Sequence, residues 1–206
     1  RGDACPRAAV ARLARRLRDV APRDGTPLDA HTDTTLGWIL CQSGHYEEGR
    51  PALERAASLL LSRERPSWVE LYLASLALRL LERTDEGIDI ALRAGQVARE
   101  AGPTALLSAL DLLTEWEVWA GRWGMAAAHG EEGLALARED GHADQLLIML
   151  TQLARIDAAR GDADRCRERL DEAIRVADAH GIVTMRHAAL GVAGSSALAD
   201  GRLEEA

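Results

Sequence analysis

Residues 150–181 read LTQLARIDAARGDADRCRERLDEAIRVADAHG, and their apolar positions follow a helical period on both sides of Gly161. This pattern predicts two amphipathic helices joined by a short turn at Gly161 and Asp162. Gly121 lies 40 residues before Gly161 and Gly201 lies 40 residues after it, each between two runs of the same kind. A constant spacing of this length is typical of a helical repeat.

Two earlier units show the same pattern around Gly44 and Glu82. The central residue of each of the five units is here called its anchor. Successive anchors are 38, 39, 40 and 40 residues apart. Small residues recur at fixed offsets from each anchor, because two helices of a hairpin approach closely only where their side chains are small. Glycine at the anchor ends the first helix by adopting a left-handed conformation. We therefore predict an all-α chain of antiparallel helix hairpins.

The repeat pattern resembles the tetratricopeptide repeat (TPR), in which a Gly-Ala pair packs one helix against the next. The resemblance is carried by Leu190, Ala193, Gly194, Ala197, Gly201, Leu203 and Ala206. It implies a right-handed superhelix, or solenoid, of TPR-like hairpins, although the units are longer than the family's usual length of about 34 residues. The Ala-, Arg- and Leu-rich units are also similar to the helical-repeat region of large ATP-binding LuxR-type transcriptional regulators from high-GC bacteria.

Helix-breaking residues divide the chain into an N-terminal helix and linker at 1–28 and a series of repeats after it. The repeats are expected at about 29–66, 67–103, 104–142, 143–182 and 183–206, with the last one truncated. The predicted helix pairs are 29–43 with 47–62, 67–82 with 86–101, 104–120 with 123–140, and 143–160 with 163–180. Further helices are predicted at 5–20 and from Val183 onward.

Two local features refine these helices. Ser67 lies three residues before Glu70, a spacing that predicts a capping box at the start of the helix. Gly124, Gly130 and Gly133 each lower the helix propensity of 123–140 by about 1 kcal/mol relative to alanine. These glycines either admit a close neighbour or mark the softest unit of the chain.

The overall charge argues against two classes of partner. The chain carries a net charge of −8 and has a pI near 5.3, so we expect no direct contact of this segment with nucleic acid and no membrane contact. No apolar run approaches the ~20 residues that cross a bilayer, and no leader sequence is recognisable. Cys5, Cys41 and Cys166 are widely spaced, which favours buried free thiols in a reducing cytoplasm.

The composition also bears on the origin of the segment. All basic residues are Arg, while Lys, Asn and Phe are absent, which indicates a GC-rich genome. The chain does not begin with Met and stops inside a helical pattern, so we expect it to be a piece of a longer cytoplasmic protein.

No catalytic motif is present in the sequence. It contains no GxxxxGK[ST], GxSxG or HExxH, and none of its six histidines has a partner at a spacing expected of a metal site. His45, His129, His142 and His180 fall at or near predicted hairpin bends or helix ends, where exposure or the helix C-terminus accounts for them. We therefore expect no enzyme, no metal and no cofactor.

The resemblance to the TPR implies that the first helices of the hairpins line a concave groove. In each first helix, five positions at fixed distances before the anchor would face this groove. In the last two units these offsets select Ile148, Thr151, Arg155, Ala158, Ala159, Ala188, Gly191, Ser195, Leu198 and Ala199. Across all units, the expected groove-binding side chains are Trp38, Tyr72, Arg79, Asp111, Glu115, Trp119, Thr151 and Arg155. Aromatic and Arg side chains are favoured as anchors in recognition surfaces.

The tryptophans allow a second interpretation. Trp116, Trp119 and Trp123 recur at helical spacing, and such a stripe is more often core than binding surface. The core interpretation is favoured for Trp116 and Trp123, whereas both interpretations remain open for Trp119.

The leading functional hypothesis is a protein-interaction or ligand-sensing module of a LuxR-type ATP-binding transcriptional regulator. Its groove would take a peptide, another domain of the same chain or a small inducer. The resemblance implies that an ATPase domain and a helix-turn-helix lie outside this segment. The alternative is a free-standing scaffold or self-association helical-repeat protein without regulator domains, in which the apolar end of the truncated fifth unit would favour homodimers of the isolated segment.

Overall fold

The structure is a computed structural model that describes residues 25–199 and 201, together with residues 9, 12, 13, 15, 16 and 19. The described residues form helices and turns, and no strand occurs among them. They belong to two compact units, Arg1–Glu100 and Ala101–Ala206. The prediction of a helix at 5–20 lies mostly outside the described residues, as does Cys5, but the six described positions between 9 and 19 are helical.

The first unit carries four helices, here numbered in chain order. They are α1 (Pro27–Gln42), α2 (Tyr46–Leu61), α3 (Trp68–Leu80) and α4 (Thr84–Ala101). The second unit carries α5 (Pro103–Trp119), α6 (Trp123–Asp140), α7 (Ala143–Ala159), α8 (Ala163–His180) and α9 (Val183–Ala199). The predicted ends of the paired helices agree with these bounds to within two residues, so the all-α prediction is confirmed.

The bends at the anchors share one backbone conformation. Positive φ angles occur at Gly44 (85°), Glu82 (58°), Gly121 (70°), Gly161 (78°) and Gly201 (73°). At each of the first four bends, the N–H that follows the anchor donates to a carbonyl five residues earlier, as Asp162 N does to the Asp157 oxygen at 2.9 Å. This hydrogen bond and the left-handed residue together define the Schellman helix end. The predicted glycine role is confirmed, and Glu82 fulfils it without being glycine.

Small residues bring the helices of the first hairpin into close contact. A Cβ placed on Gly37 would lie 2.5 Å from Leu53 Cγ and 3.0 Å from the Gly49 carbonyl oxygen. Gly49 lies against α1 in the same way, because its Cβ would be 2.9 Å from the Gly37 carbonyl oxygen. The backbones of α1 and α2 therefore meet at these two glycines, as the repeat pattern predicts.

Two further features of the first unit match the sequence. Ser67 and Glu70 form the predicted capping box at the start of α3. The Ser75 hydroxyl donates to the Gly87 carbonyl oxygen at 3.1 Å, which joins α3 to α4. Cys41 in this unit and Cys166 in the second unit are buried and form no disulfide, as predicted, and burial raises the pKa of the Cys41 thiol.

In the second unit, two of the three glycines of α6 admit side chains from α7. A Cβ on Gly130 would lie 2.7 Å from Leu153 Cδ2, and one on Gly133 would lie 2.8 Å from Met149 Sδ. Both glycines are buried, and Leu153 and Met149 belong to the core of the unit. Gly124 has nothing within 4 Å of its Cβ position, so it has no such packing role.

The helices of the second unit are arranged in two layers. The first helices of the hairpins lie side by side, with α5 against α7 and α7 against α9. The Gln152 amide of α7 donates to Asp111 Oδ1 of α5 at 2.9 Å within this layer. In the other layer, Arg138 of α6 is paired with Glu172 of α8 at 2.8 Å. The exposed side of α5, α7 and α9 is called the first-helix face of this unit below.

None of the helices in the described part of the chain combines the length and the apolar character that crossing a membrane requires.

Candidate functional site

A groove of about 510 Å³ lies between α7 and α9 in the second unit. It is lined by Thr151, Arg155, Ala158, Ala159, Ala188, Gly191, Val192, Ser195, Ser196 and Ala199. Eight of these ten residues stand at the offsets that the resemblance assigns to the groove, and the exceptions are Val192 and Ser196. Ile148 and Leu198, which the same offsets select, are not among the lining residues.

Small side chains create the space in this groove, here called the α7–α9 groove. Six of the ten lining residues are alanine, glycine or valine, and a Cβ placed on Gly191 would meet nothing within 4 Å. The hydroxyls of Thr151 and Ser195 donate to carbonyls of their own helices at 2.8 Å, so neither hydroxyl has a proton left to donate to a ligand. The groove is therefore open above Gly191 and mostly apolar.

One charge stands in this groove. Arg155 is exposed on α7, and its guanidinium has no hydrogen bond or ion pair within the described part of the chain. None of the other nine lining residues carries a charge. The α7–α9 groove thus combines an uncharged, small-residue surface with one cation.

Three of the predicted groove residues lie on the neighbouring helix α5. Asp111 and Glu115 are half-buried, and Asp111 is positioned by the hydrogen bond from Gln152 of α7. Trp119 has 57% of its surface exposed at the last residue of α5. Asp111, Glu115 and Trp119 therefore lie on the same first-helix face as Thr151 and Arg155.

The remaining predicted residues belong to the first unit. Trp38 has 42% of its surface exposed on α1, while Tyr72 and Arg79 are half-buried on α3. A cavity of about 530 Å³ in this unit is lined by Pro27, Leu28, His31, Arg63, Ser67, Val69, Glu70 and Leu73. Trp38, Tyr72 and Arg79 are not among its lining residues, so the structure does not gather them into that cavity.

An ion pair forms part of the wall of this first-unit cavity. Arg63 Nε lies 2.6 Å from Glu70 Oε1, and the Ser67 N–H and hydroxyl both donate to Glu70 Oε2 at 2.8 Å. Burial acts to raise the pKa of Glu70, but the Ser67 hydrogen bonds and the Arg63 charge outweigh it and hold the pKa below its ordinary value. Glu70 therefore serves as an ionised capping group for α3.

The prediction that Trp116 and Trp123 belong to the core is confirmed for Trp116 and wrong for Trp123. Trp116 is 1% exposed and belongs to the core of the second unit. Trp123 is 37% exposed, because it is the first residue of α6 and stands directly after the bend. Its carbonyl oxygen accepts a hydrogen bond from Arg160 at 2.8 Å.

One histidine also departs from its predicted place. His45 and His142 precede α2 and α7, and His180 ends α8, as expected for bends and helix ends. His129 lies instead inside α6, half-buried, with Nδ1 at 2.9 Å from Oε2 of the buried Glu117 on α5. This pair joins the two helices of one hairpin. No group of three His, Cys, Asp or Glu side chains suited to a metal ion occurs among the described residues.

An N-terminal residue makes contact with the first hairpin. Arg15 forms a two-pronged ion pair with Glu48, with Nε 2.8 Å from Oε2 and Nη2 2.7 Å from Oε1. Glu48 lies in the first turn of α2, the second helix of its hairpin. This contact therefore involves α2 and not the α1 helix that carries Trp38.

Sequence reasoning missed three residues of the second-unit site. Val192 and Ser196 each follow a predicted groove position directly, so the fixed offsets pass over them. Gln152 positions Asp111, and its only signal was a polar side chain within the apolar run LLIMLTQLA.

Comparisons with known proteins support the fold. No protein-family model matches the chain, and no curated protein sequence matches it. Among solved structures it is similar to aspartyl phosphate phosphatase F from Bacillus subtilis, with a TM-score of 0.64 and 12% identity over 91% of this chain. The match covers only 49% of that phosphatase, so the chain spans about half its length.

Two other similar structures are repeat proteins. One is a Podosopora anserina putative kinesin light chain with TPR-like repeats (TM-score 0.60, 17% identity, 84% of this chain and 95% of that one). The other is YrrB, described as a TPR protein with an unusual peptide-binding site (TM-score 0.53, 16% identity, 92% and 91%). At these identities the likeness concerns the fold alone. The chain is an all-α helical-repeat protein with a TPR-like solenoid fold.

Proposed function

We propose that this chain is a protein-interaction module that binds an extended peptide segment across the first-helix face of its second unit. The observation that carries this proposal is the open α7–α9 groove at the offsets expected of a binding groove. Neighbouring helices lie about 8–10 Å apart, and an extended chain advances about 3.3 Å per residue. A segment of about six residues would therefore cross α9, α7 and α5.

The side chains on this face suit recognition of a peptide. Trp119 offers a large exposed apolar surface, and Arg155 offers a guanidinium with five donors. Trp and Arg are the residues that most often dominate binding energy at interfaces. We assign Asp111, Glu115, Trp119, Thr151 and Arg155 to this binding surface.

Trp38, Tyr72 and Arg79 form a second proposed contact surface, on the first unit. Their exposed or half-buried positions on α1 and α3 leave part of each side chain accessible. The peptide-binding site named for YrrB supports a peptide as ligand over a small inducer. We propose a binding role and no catalytic one for both surfaces.

The cellular context is proposed from the composition and the resemblance. We propose that the module serves a cytoplasmic LuxR-type ATP-binding regulator, in which other domains bind ATP and DNA. The net charge of −8 supports a role in which this segment itself does not bind nucleic acid. The full-length sequence tests this context: a nucleotide-binding loop before the segment and a helix-turn-helix after it are expected, and the lack of both would contradict it.

Self-association is the second candidate function, and one observation favours it. A smaller groove of about 240 Å³ between α8 and α9 includes the apolar side chains of Leu170, Ile174 and Ala193. A second copy that packs here would form a homodimer through the last helices. Sedimentation velocity is expected to show a dimer that Ile174→Arg converts to a monomer, whereas a monomer at all concentrations would contradict this candidate.

The peptide-binding proposal is tested with a matched pair of glycine variants. Gly191→Leu fills the α7–α9 groove, and Gly124→Leu adds the same side chain to α6, outside the groove. Neither Cβ position has a neighbour within 4 Å, and both substitutions remove a helix-destabilising glycine worth about 1 kcal/mol. Both variants are therefore expected to stay folded.

The measurement is selection from a random twelve-residue peptide library displayed on phage, followed by binding of the selected peptides in solution. Peptides selected on the protein are expected to bind the Gly124→Leu variant normally and to lose at least tenfold in affinity for the Gly191→Leu variant. Equal binding to both variants, or no selected binder, would show that the groove is not the site.

A further inference from the structure

We infer that the bend between α5 and α6 is a lipid-contact site, whose apolar side chains enter the interfacial layer of a zwitterionic lipid surface. The bend comprises residues 119–125, WAGRWGM, here called the α5–α6 tip, and all seven residues are exposed. Trp119 is 57% exposed, Trp123 is 37% exposed and Met125 is 52% exposed. The α5–α6 tip goes beyond the proposed function, because it shares only Trp119 with the peptide-binding surface.

The equivalent bends show that the composition of the α5–α6 tip departs from the repeat. Three residues after the anchor, Glu47, Asp85 and Asp164 place a carboxylate in the first turn of α2, α4 and α8. A carboxylate is favourable there, because the N-terminal end of a helix carries a partial positive charge. The equivalent residue of α6 is Gly124, and α6 has no acidic residue in its first turn. The chain therefore forgoes helix stability at this bend and presents an acid-free apolar surface instead.

The shape of the α5–α6 tip suits a fluid surface. A Cβ placed on Gly121 or on Gly124 would meet no atom within 4 Å, so the tip protrudes. A rigid protein partner needs a cavity that matches such a protrusion, whereas a bilayer rearranges around it. Trp is enriched at the bilayer interface, because its ring is mostly apolar and its N–H reaches the polar headgroups. The Arg160 side chain donates to the Trp123 carbonyl oxygen at 2.8 Å, which holds the backbone of the tip in place.

Charge selects the type of lipid. Arg122 is the only charged residue of the α5–α6 tip, and a long basic side chain of this kind extends to the lipid phosphates while its neighbours enter the apolar layer. The whole segment carries a net charge of −8, which repels an anionic bilayer. The expectation of no membrane contact rested on this net charge. It does not extend to a zwitterionic surface, where apolar side chains supply the attraction.

The experiment places a charge in the middle of the α5–α6 tip. Gly124→Asp restores the first-turn carboxylate of the equivalent bends, and Gly124→Asn is an uncharged control of nearly the same shape. Both side chains enter open space and replace a helix-destabilising glycine, so both variants are expected to be at least as stable as the parent protein. Flotation with phosphatidylcholine vesicles measures binding. Quenching of tryptophan fluorescence by phosphatidylcholine with brominated acyl chains measures insertion.

The parent protein and the Gly124→Asn variant are expected to float with the vesicles and to lose fluorescence to the brominated lipid. The Gly124→Asp variant is expected to bind at least about fivefold more weakly, because a carboxylate is costly to bring into an apolar layer. Loss of binding in a variant that is no less stable is a result that a purely structural role of the tip would not produce.

Three results would overturn the inference. Equal binding of the Gly124→Asp and Gly124→Asn variants would show that the α5–α6 tip is not the contact, and binding without quenching would show that it does not insert. A parent protein that does not float would overturn the lipid surface in favour of an apolar protein partner. Peptide binding in the α7–α9 groove is tested at Gly191, so its outcome is independent of these results.

Discussion

At the scale of single residues, Glu82 shows that the bends of the repeat require a left-handed backbone conformation even where the anchor is not glycine. The other anchors are glycines with φ between 70° and 85°, and Glu82 adopts φ 58° at the same position. A left-handed conformation costs a residue with a Cβ about 1–2 kcal/mol. Arg83 N still donates to the Leu78 oxygen at 3.0 Å, so the helix end forms in spite of this strain.

Replacement of Glu82 by glycine is expected to stabilise the protein. Glu82→Gly removes the strain of the left-handed backbone and removes no buried contact, because the side chain is exposed. Part of the gain is offset by the greater freedom of glycine in the unfolded chain, so the free energy of unfolding is expected to rise by about 1 kcal/mol. Urea denaturation measures this change.

The reverse change at an equivalent anchor is the control. Gly161→Ala places a Cβ at φ 78° and is expected to lower the free energy of unfolding by about 1 kcal/mol. A Glu82→Gly variant that is no more stable than the parent would contradict the assignment of Glu82 as a strained anchor.

Glu70 is the second residue with a measurable role, because its pKa differs between the folded and unfolded chain. The folded pKa lies below the ordinary value, so the carboxylate stabilises the folded state at pH values above its unfolded pKa of about 4.3. This contribution is lost as the pH falls through the folded pKa. Glu70→Gln is therefore expected to lower stability by about 1 kcal/mol at pH 7, because the neutral amide loses the ion pair with Arg63 and the favourable negative charge at the helix N-terminus.

The difference in the free energy of unfolding between the parent protein and the Glu70→Gln variant is expected to shrink below pH 4. Urea denaturation of both proteins between pH 3 and pH 7 gives the dependence. A deficit that stays constant over this range would mean that the charge of Glu70 does not stabilise the capping box.

At the scale of helices, close contacts distinguish glycines that look alike in the sequence. Gly37 lies against the backbone of α2, while Gly124 has open space at its Cβ position. Gly37→Ala forces α1 and α2 apart, and we expect it to lower the free energy of unfolding by about 2 kcal/mol. Gly124→Ala is expected to raise it by about 1 kcal/mol through helix propensity alone.

Chemical denaturation of these two variants tests the packing of the first hairpin. Similar effects of both substitutions would contradict the close approach of α1 and α2 at Gly37. Helicity from circular dichroism is the control, since neither substitution is expected to reduce the helix content.

Helix positions could be predicted well because the chain marks them with local signals. The bends follow from Gly44, Gly121 and Gly161, and the start of α3 follows from Ser67 and Glu70. Side-chain exposure was harder to predict. Trp116 and Trp123 share one helical stripe, but a bend separates them, so one is buried and the other is exposed. Periodicity alone does not show where neighbouring helices end.

At the scale of the whole molecule, the two compact units carry different parts of the predicted site. The offsets taken from the TPR identified eight lining residues of the α7–α9 groove, four in the fourth repeat and four in the fifth. In the first unit the same offsets select His31 and Val69, which line the cavity found there, but also Trp38, Tyr72 and Arg79, which do not. Packing of α1 against α3 determines which of these positions face the cavity, and sequence spacing alone does not show it.

The central claim is that a peptide binds between α7 and α9, and a crystal structure of the protein with a library-selected peptide tests it most directly. The account predicts an extended peptide that lies over Gly191 between α7 and α9. A peptide bound on the layer of α6 and α8 would contradict it.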